Sequence, residues 1–383
     1  MPSFAKRTQT LKESIFTTMS NRARQAGAIN LAQGFPDFDG PAWVVEAAKD
    51  ALSKPDSLYN QYASALGSPI LRKSVANQQL QDWGTPFDAD SEITITVGAT
   101  EAIYATLQAL VDEGDEVVVF EPMYDSYAAT VAMIGAQAKP VTLRLPDFSF
   151  DIEELKKAFS SKTKVVMINS PHNPTGKIFS LEELKVIGQL AIEHDAWIIT
   201  DEVYEHLTYD KDHSEFAKWR SSPAIRERCV AISSAGKTFG MTGWKIGWTL
   251  APANLSEKIR MVHQYIPFCA THPLQIAVAQ GLDNRADYLK EFKADYARKK
   301  DLLFNGLKEL GYNVIKPDGT YFLQVQVNED AFDFCNKLID QKKVAAIPTA
   351  PFYLKDKQGE KLVRFCFAKK DETILQAIKR LKA

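Results

Sequence analysis

Apolar positions along this chain change rhythm twice. Up to about residue 90 they recur at helical spacing within mixed, polar sequence. There is a patch around Ile15, Phe16 and Met19, then a helix over 41–54 that Pro55 ends. Another helix opens near Pro69, where proline suits the first turn. Between the first two lies Asn30-Leu31-Ala32-Gln33-Gly34-Phe35-Pro36-Asp37-Phe38, rich in turn formers. From about residue 92, short unbroken apolar runs alternate with helical stretches. The runs are Ile93–Val97, Val117–Phe120, Val165–Ile168, Trp197–Thr200 and Cys229–Ile232. They predict strands buried on both faces, hence a three-layer α/β fold with a mainly parallel sheet. Ala102, Ile103, Thr106, Leu107 and Leu110 share one face of a helix after the first run, and Ser180 with Glu183 predicts a capping box.

After about residue 275 the pattern turns to long charged helices, roughly 284–310. Strand-like Tyr321–Val327, a helix near 330–342 and apolar Leu362–Phe367 follow, which predicts a smaller α+β unit. We expect residues 1–40 to join that unit, 41–275 to form a large domain and 276–383 a small one. No repeat or low-complexity linker interrupts the chain.

Composition narrows the function classes. With 46 basic against 48 acidic residues among 383, the chain lacks the surplus of positive charge expected of a nucleic-acid binder. Cys229, Cys269, Cys335 and Cys366 form no CxxC pair and no metal-ligand spacing, which points to buried thiols in a reducing compartment. The six histidines show no i,i+4 pair, so structural roles and no metal are expected. The N-terminus does not resemble a signal peptide, and no apolar run approaches membrane-spanning length. These features lead us to expect a cytoplasmic protein without a membrane partner.

Chemistry concentrates where the apolar runs end. Ligands of parallel α/β sheets sit at the carboxyl ends of the strands. Cys229–Ile232 leads into Ser233-Ser234-Ala235-Gly236-Lys237, and a second lysine, Lys245, follows eight positions later. A lysine just past a buried strand suits carbonyl chemistry, because a desolvated amine forms imines; an ordinary surface loop is the alternative. Gly98-Ala99-Thr100 opens a helix whose free N–H groups favour an anion, although many such turns use glycine structurally. Ser234 and Lys245 add a hydroxyl and a positive charge. Asp201 follows four apolar residues, where an ionised carboxylate needs a cation unless it lies in a surface turn. Asn173 can equally be a turn former, and Tyr124 a packing residue. Arg364, inside an apolar strand, suits bidentate grip on a carboxylate. Pyridoxal phosphate is a cofactor that uses all these groups at once: an imine-forming lysine, a phosphate cup, an anion for the ring nitrogen and donors for the phenolic oxygen.

The chain resembles the fold-type I, class I/II pyridoxal-phosphate aminotransferases, and within them the methionine and kynurenine (glutamine-dependent) branch. The resemblance covers nearly the whole sequence. It rests on Gln33–Phe38, Asn173-Pro174-Thr175-Gly176, Asp201-Glu202-Val203-Tyr204, Ser234–Phe239 with Thr242-Gly243-Trp244-Lys245, Ala345–Pro348 and Arg364-Phe365-Cys366-Phe367. It implies that Lys237 carries pyridoxal 5'-phosphate and moves the substrate proton, while Asp201 keeps the ring nitrogen protonated. It further implies that Asn173 and Tyr204 bond the phenolic oxygen and that Tyr124 stacks on the ring. Gly98, Ala99, Thr100, Ser234 and Lys245 would hold the phosphate, helped by Tyr62 of the partner subunit in a homodimer. Arg364, with Asn173 and the backbone at Gly34, would grip the substrate carboxylate.

Many members of the family have arginine where this chain has Lys245, but this branch also has lysine. No clear second arginine for a side-chain carboxylate stands out. Phe16 and Phe268 of the partner subunit match the branch's side-chain pocket, so methionine, aromatic amino acids or kynurenine are expected over aspartate. A β-eliminating cysteine-S-conjugate lyase on the same scaffold is the alternative. An effector-sensing regulator of this fold would need a DNA-binding domain, and only about 30 residues precede the Gln33–Phe38 segment.

Overall fold

The computed structural model describes residues 2–9, 11 and 13–383. A short strand, β1 (Ile29–Asn30), precedes the seven strands of the large sheet. These are β2 (Ile93–Thr96), β3 (Glu116–Glu121), β4 (Gln137–Thr142), β5 (Thr163–Asn169), β6 (Trp197–Asp201), β7 (Cys229–Ser234) and β8 (Gly247–Leu250). Their order is β2-β8-β7-β6-β5-β3-β4, and β8 runs against both of its neighbours while the others are parallel. The five apolar runs all became strands of this sheet. Two strands carry no such signal. β4 is an edge strand containing Pro140, with its first four positions exposed or half-buried. β8 has four residues, and glycine and threonine break its apolar run.

Both faces of the sheet are covered, as continuous apolar strands require. Val118 and Phe120 of β3 join Val166 and Ile168 of β5 in one core cluster, while Val117, Val119, Val165 and Met167 belong to the opposite one. Five helices matter for the site: α1 (Ile15–Ala26), α2 (Ala42–Ser53), α3 (Pro69–Trp83), α4 (Gly98–Leu110) and α5 (Asp125–Ile134). The capping box at Ser180 and Glu183 is formed.

The C-terminal third adds β9 (Asn313–Ile315), β10 (Phe322–Gln326), β11 (Val344–Ala345), β12 (Ile347–Pro348) and β13 (Leu362–Cys366). All but β11 build an antiparallel sheet ordered β12-β13-β10-β9. The 25-residue helix Arg285–Glu309 and the last helix, Asp371–Lys382, pack with it. The N-terminal segment lies on this sheet: β1 pairs with β11, Leu31 accepts from the Cys366 N–H at 2.8 Å, and Ile15, Met19 and Ala23 of α1 share a core with Leu323 and Phe365. Three thiols are buried as expected, but Cys269 is half-buried, because it sits in the loop between helices and outside any core cluster. Buried His172, His206, His213 and His263 are each bonded to a side chain (Thr175, Thr238, Glu202 and Glu101), as structural histidines are.

One stretch at the end of β6 serves two sides at once. In Asp201-Glu202-Val203-Tyr204-Glu205-His206, Asp201 and Tyr204 face the cavity described below. Glu202, Glu205 and His206 instead enter a buried network behind it. Glu202 accepts from Thr200 Oγ1 at 2.6 Å, His213 Nε2 at 2.6 Å and Arg220 Nε at 2.9 Å. Glu205 accepts from Trp83 Nε1 of α3 at 2.7 Å and from Ser233 Oγ of β7 at 2.6 Å. Burial opposes ionisation of Glu202, but Arg220, His213 and Thr200 outweigh it and hold the carboxyl below its ordinary value of 4.5. A depressed carboxylate stabilises the fold above its unfolded-state pKa and loses that effect as pH falls through the folded one. Glu202→Gln strands the Arg220 charge, so it should cost about 3–5 kcal/mol at neutral pH. Chemical unfolding at pH 7 and below 4 tests this: the gap between wild type and variant should narrow on acidification.

Candidate active site

The register of the large sheet gathers the chemistry at one edge. Asn169 of β5 lies beside Asp201 of β6, and Asp201 beside Ile232 of β7. Because β8 is reversed, its first residue, Gly247, pairs with both Ser234 and Thr96 at this same edge. Lys245, two residues earlier, therefore reaches the start of α4. Gly98 opens α4 in the left-handed region at φ +73°, and a Cβ there would lie 3.2 Å from Lys245 Nζ. A Cβ on Gly247 would come within 2.9 Å of the Ala99 nitrogen. Two glycines thus let an ammonium, a β-strand and the first turn of a 13-residue helix converge.

These elements enclose a cavity of about 330 Å³. Of the site residues expected from the sequence, Phe16, Gly34, Gly98, Ala99, Thr100, Tyr124, Asn173, Asp201, Tyr204, Ser234, Lys237, Lys245 and Arg364 all line it. Tyr62 and Phe268 do not: they are exposed and pack edge-on against each other, 5.2 Å between centroids. Sequence reasoning missed several contributors. Tyr127 of α5 donates to Asp201 Oδ2 at 2.5 Å. Asn169 donates to the Asp201 carbonyl at 2.8 Å and accepts from the Asn173 N–H at 2.7 Å, so one amide fixes two loops. Tyr321, just before β10, accepts from Lys237 Nζ at 2.8 Å and donates to the Gly34 carbonyl at 2.5 Å. Only their positions at strand ends could have flagged these residues, since neither type nor spacing sets them apart.

Arg364 of β13 is 1 % exposed. Its Nη1 donates to Asn173 Oδ1 at 2.7 Å and its Nη2 to the Ala32 carbonyl at 3.1 Å, while Nε has no partner. Aromatic rings surround it: Phe322 at 3.8 Å, Phe16 at 5.0 Å and Phe352 at 5.6 Å from the guanidinium carbon.

Comparison with known proteins decides what this arrangement belongs to. The aminotransferase class I and II profile matches residues 26–381. The chain belongs to that family. This aminotransferase is 41% identical to methionine aminotransferase of Escherichia coli (strain K12), covering 97% of the chain and 96% of that protein. It is 36% identical to human kynurenine–oxoglutarate transaminase 3, covering 99% and 90%. The solved structure of N-succinyldiaminopimelate aminotransferase from Mycobacterium tuberculosis superimposes with a TM-score of 0.94 at 39% identity, covering 99% of each chain. The resemblance and the three-layer fold expected from the sequence both hold.

The cofactor of this aminotransferase is pyridoxal 5'-phosphate, and the residues present fit it. Three cations, Lys237, Lys245 and Arg364, line the cavity against one carboxylate, Asp201, so the cavity is built for anions. Burial pushes the Asp201 carboxyl up, opposed by its bonds from Tyr127 and the Val203 N–H and by Lys237. What that carboxylate lacks is an adjacent cation, which a protonated ring nitrogen supplies. Burial also lowers Lys237 to about 8, with the Arg364 and Lys245 charges acting in the same direction. Burial likewise raises Tyr204 and Tyr124, which stay protonated donors at any physiological pH.

A lysine lowered to about 8 becomes a neutral nucleophile as pH rises through that value. In cofactor-free protein, the acylation rate of Lys237, followed by peptide mapping, should therefore rise with a midpoint near 8 instead of 10.5. Tyr321→Phe removes an acceptor that favours the charged amine, so it should move the midpoint lower still. A midpoint near 10.5 in the wild type would mean that the amine is solvated.

Proposed function

We propose that this aminotransferase transfers the amino group of methionine, an aromatic amino acid or kynurenine to a 2-oxo acid acceptor. The observation that carries the substrate class is the cavity lining. Each of its three cations already has an anion to meet: Lys245 beside the α4 N-terminus, Lys237 at the amine and Arg364 at the carboxylate. Among the described residues of this chain the lining offers no further cation for a side-chain carboxylate, and Phe16 walls the space beyond Arg364. Donors with a distal carboxylate are disfavoured for the same reason. The names of the E. coli and human relatives agree with this class.

Bound pyridoxal phosphate supplies an electron sink for the bonds at the substrate Cα. The protein's part divides as follows. Lys237 holds the cofactor through its amine and, once freed, moves a proton at the substrate Cα. Asp201, oriented by Tyr127 and Asn169, holds the proton on the ring nitrogen. Asn173 and Tyr204 bond the phenolic oxygen, and Tyr124 stacks on the ring. The Gly98-Ala99-Thr100 turn, Ser234 and Lys245 bind the phosphate. Arg364 orients the substrate through its carboxylate, with Asn173 and the Gly34 backbone beside it.

We also propose a homodimer. Exposed Tyr62 and Phe268 form one aromatic pair outside their own cavity, which suits contribution to a neighbour's site. In this reading residues 41–275 form the cofactor domain, 276–383 the small domain, and 1–40 join the latter. Four unpaired thiols support a cytoplasmic setting.

The test is the visible spectrum of the holoenzyme titrated with single amino acids and no acceptor. Methionine, phenylalanine or kynurenine should shift the cofactor band to the aminated form, and aspartate should do so far more weakly. Aspartate as the best donor by kcat/KM would overturn the substrate class. Pyruvate and ammonia released from cysteine conjugates, with the band unmoved, would favour the lyase. Lys237→Ala should lower turnover by several orders of magnitude, because imine exchange and proton transfer lose the same amine. Arg364→Ala should act mainly on amino-acid affinity, by roughly 2–5 kcal/mol, since it removes one partner of a buried charge pair.

A further inference from the structure

Glu121, the last residue of β3, is completely buried. It lies outside the cavity, and four dipoles converge on its carboxylate. The backbone N–H groups of Leu354 and Lys355 donate to Oε2 at 2.7 and 3.1 Å. The Asp356 N–H and Thr142 Oγ1 donate to Oε1 at 3.0 and 3.1 Å. Three successive N–H groups turned onto one carboxylate form an anion-binding concavity that the chain fills with its own side chain. The donors belong to the connection between β12 and β13, so a strand of the large sheet holds a loop of the small one.

That loop leads straight to the amino-acid end of the cavity. Two residues before Leu354 stands Phe352, 2 % exposed, whose carbonyl accepts from the Met123 N–H at 2.8 Å. The Phe352 ring packs on Phe16, 5.6 Å between centroids, and lies 5.6 Å from the Arg364 guanidinium carbon. Phe16 and Arg364 both line the cavity. The other ties on the loop are more exposed: Arg144 with Asp356 at 3.0 Å and Lys355 with Glu154 at 3.1 Å. Ion pairs of that kind fix a loop weakly.

We propose that Glu121 is a positioning residue for amino-acid recognition: by pinning residues 354–356 it sets the Phe352 ring against Phe16 and Arg364, and so fixes the direction in which the arginine meets the substrate carboxylate. This rests on the reading of Arg364 as the carboxylate-binding residue. Glu121 touches neither cofactor nor substrate, so its loss should change amino-acid affinity and leave cofactor binding and the chemical step nearly intact.

The experiment uses holoenzyme with methionine as donor and α-methylmethionine as a probe that lacks the Cα hydrogen and binds without turnover. Glu121→Gln keeps the shape of the side chain but halves its accepting capacity. It should raise the methionine KM and the spectrally titrated Kd for the probe on the order of tenfold, with kcat within about threefold. The cofactor band and cofactor Kd should stay unchanged. Phe352→Leu, with Glu121 intact, should give the same pattern and carries the test if Glu121→Gln fails to fold. The double variant should lose no more than the worse single, because both act through one contact. Glu121→Gln that lowers only the melting temperature, or that weakens cofactor and amino acid alike, would overturn the proposal. Fully additive losses in the double variant would overturn it too. Arg364→Ala separates the two readings: if the probe binds it normally, the Arg364 assignment fails. If the probe binds it weakly while Glu121→Gln binds normally, only the Glu121 proposal fails.

Discussion

Three buried cations around one small cavity are the constraint on which the rest of this structure depends. Lysine and arginine are seldom buried without partners. Here Lys237, Lys245 and Arg364 face a single carboxylate, Asp201. Such an imbalance is tolerable in a site completed from outside by a phosphate and an amino-acid carboxylate. The same desolvation that makes the cavity costly keeps the Lys237 amine near 8, where it can be a nucleophile and a proton carrier close to neutral pH. The strain of holding like charges together and the usefulness of the amine therefore have one physical origin.

Backbone topology brings those charges together. In an all-parallel sheet the residue ahead of a strand would sit at the opposite edge from the catalytic ends. Reversal of β8 places Lys245 beside the first turn of α4, and the bare Cα atoms of Gly98 and Gly247 leave room for it. At the end of β6 the chain answers a second demand. Asp201 and Tyr204 turn to the cavity while Glu202, Glu205 and His206 anchor the same six residues to α3, β7 and the helix Ser214–Arg220. A carboxylate that must stay fixed under a cofactor ring is thus held from behind by buried charge pairs, which are costly to break.

Much of this was legible in the sequence because two signals coincide: runs buried on both faces, and polar residues placed where those runs stop. Asp201, Asn173, Ser234 and Lys237 could be found that way, and Arg364 by its presence inside an apolar strand. β4 and β8 could not, because an edge strand with proline and a four-residue strand with glycine lack a hydrophobic run. Tyr127, Asn169 and Tyr321 escaped for a different reason. Their roles depend on partners 74, 32 and 84 positions away along the chain, and a tyrosine or asparagine near a strand end has many structural uses. Tyr62 and Phe268 were legible only through the family resemblance, since nothing within one chain brings them to the cavity.

The cavity has two walls, and they come from different sheets. The large sheet supplies Gly98, Asp201, Ser234 and Lys237; the small sheet and the N-terminal segment supply Arg364, Tyr321, Gly34 and Phe16. The seam between them is crossed by few polar bonds. Arg364 donates to Asn173 at 2.7 Å, Gln324 to the Pro174 carbonyl at 3.0 Å, and Lys237 to Tyr321 at 2.8 Å. Every one of these has an uncharged partner on at least one side, so each is weaker than the ion pairs that fix Glu202 within its own sheet. A small displacement along the seam would alter the distance from Arg364 to the cofactor wall before it disturbed that wall itself. Amino-acid affinity and cofactor affinity are therefore separable in this fold: the first depends on the seam, the second on the carboxyl edge of one rigid sheet.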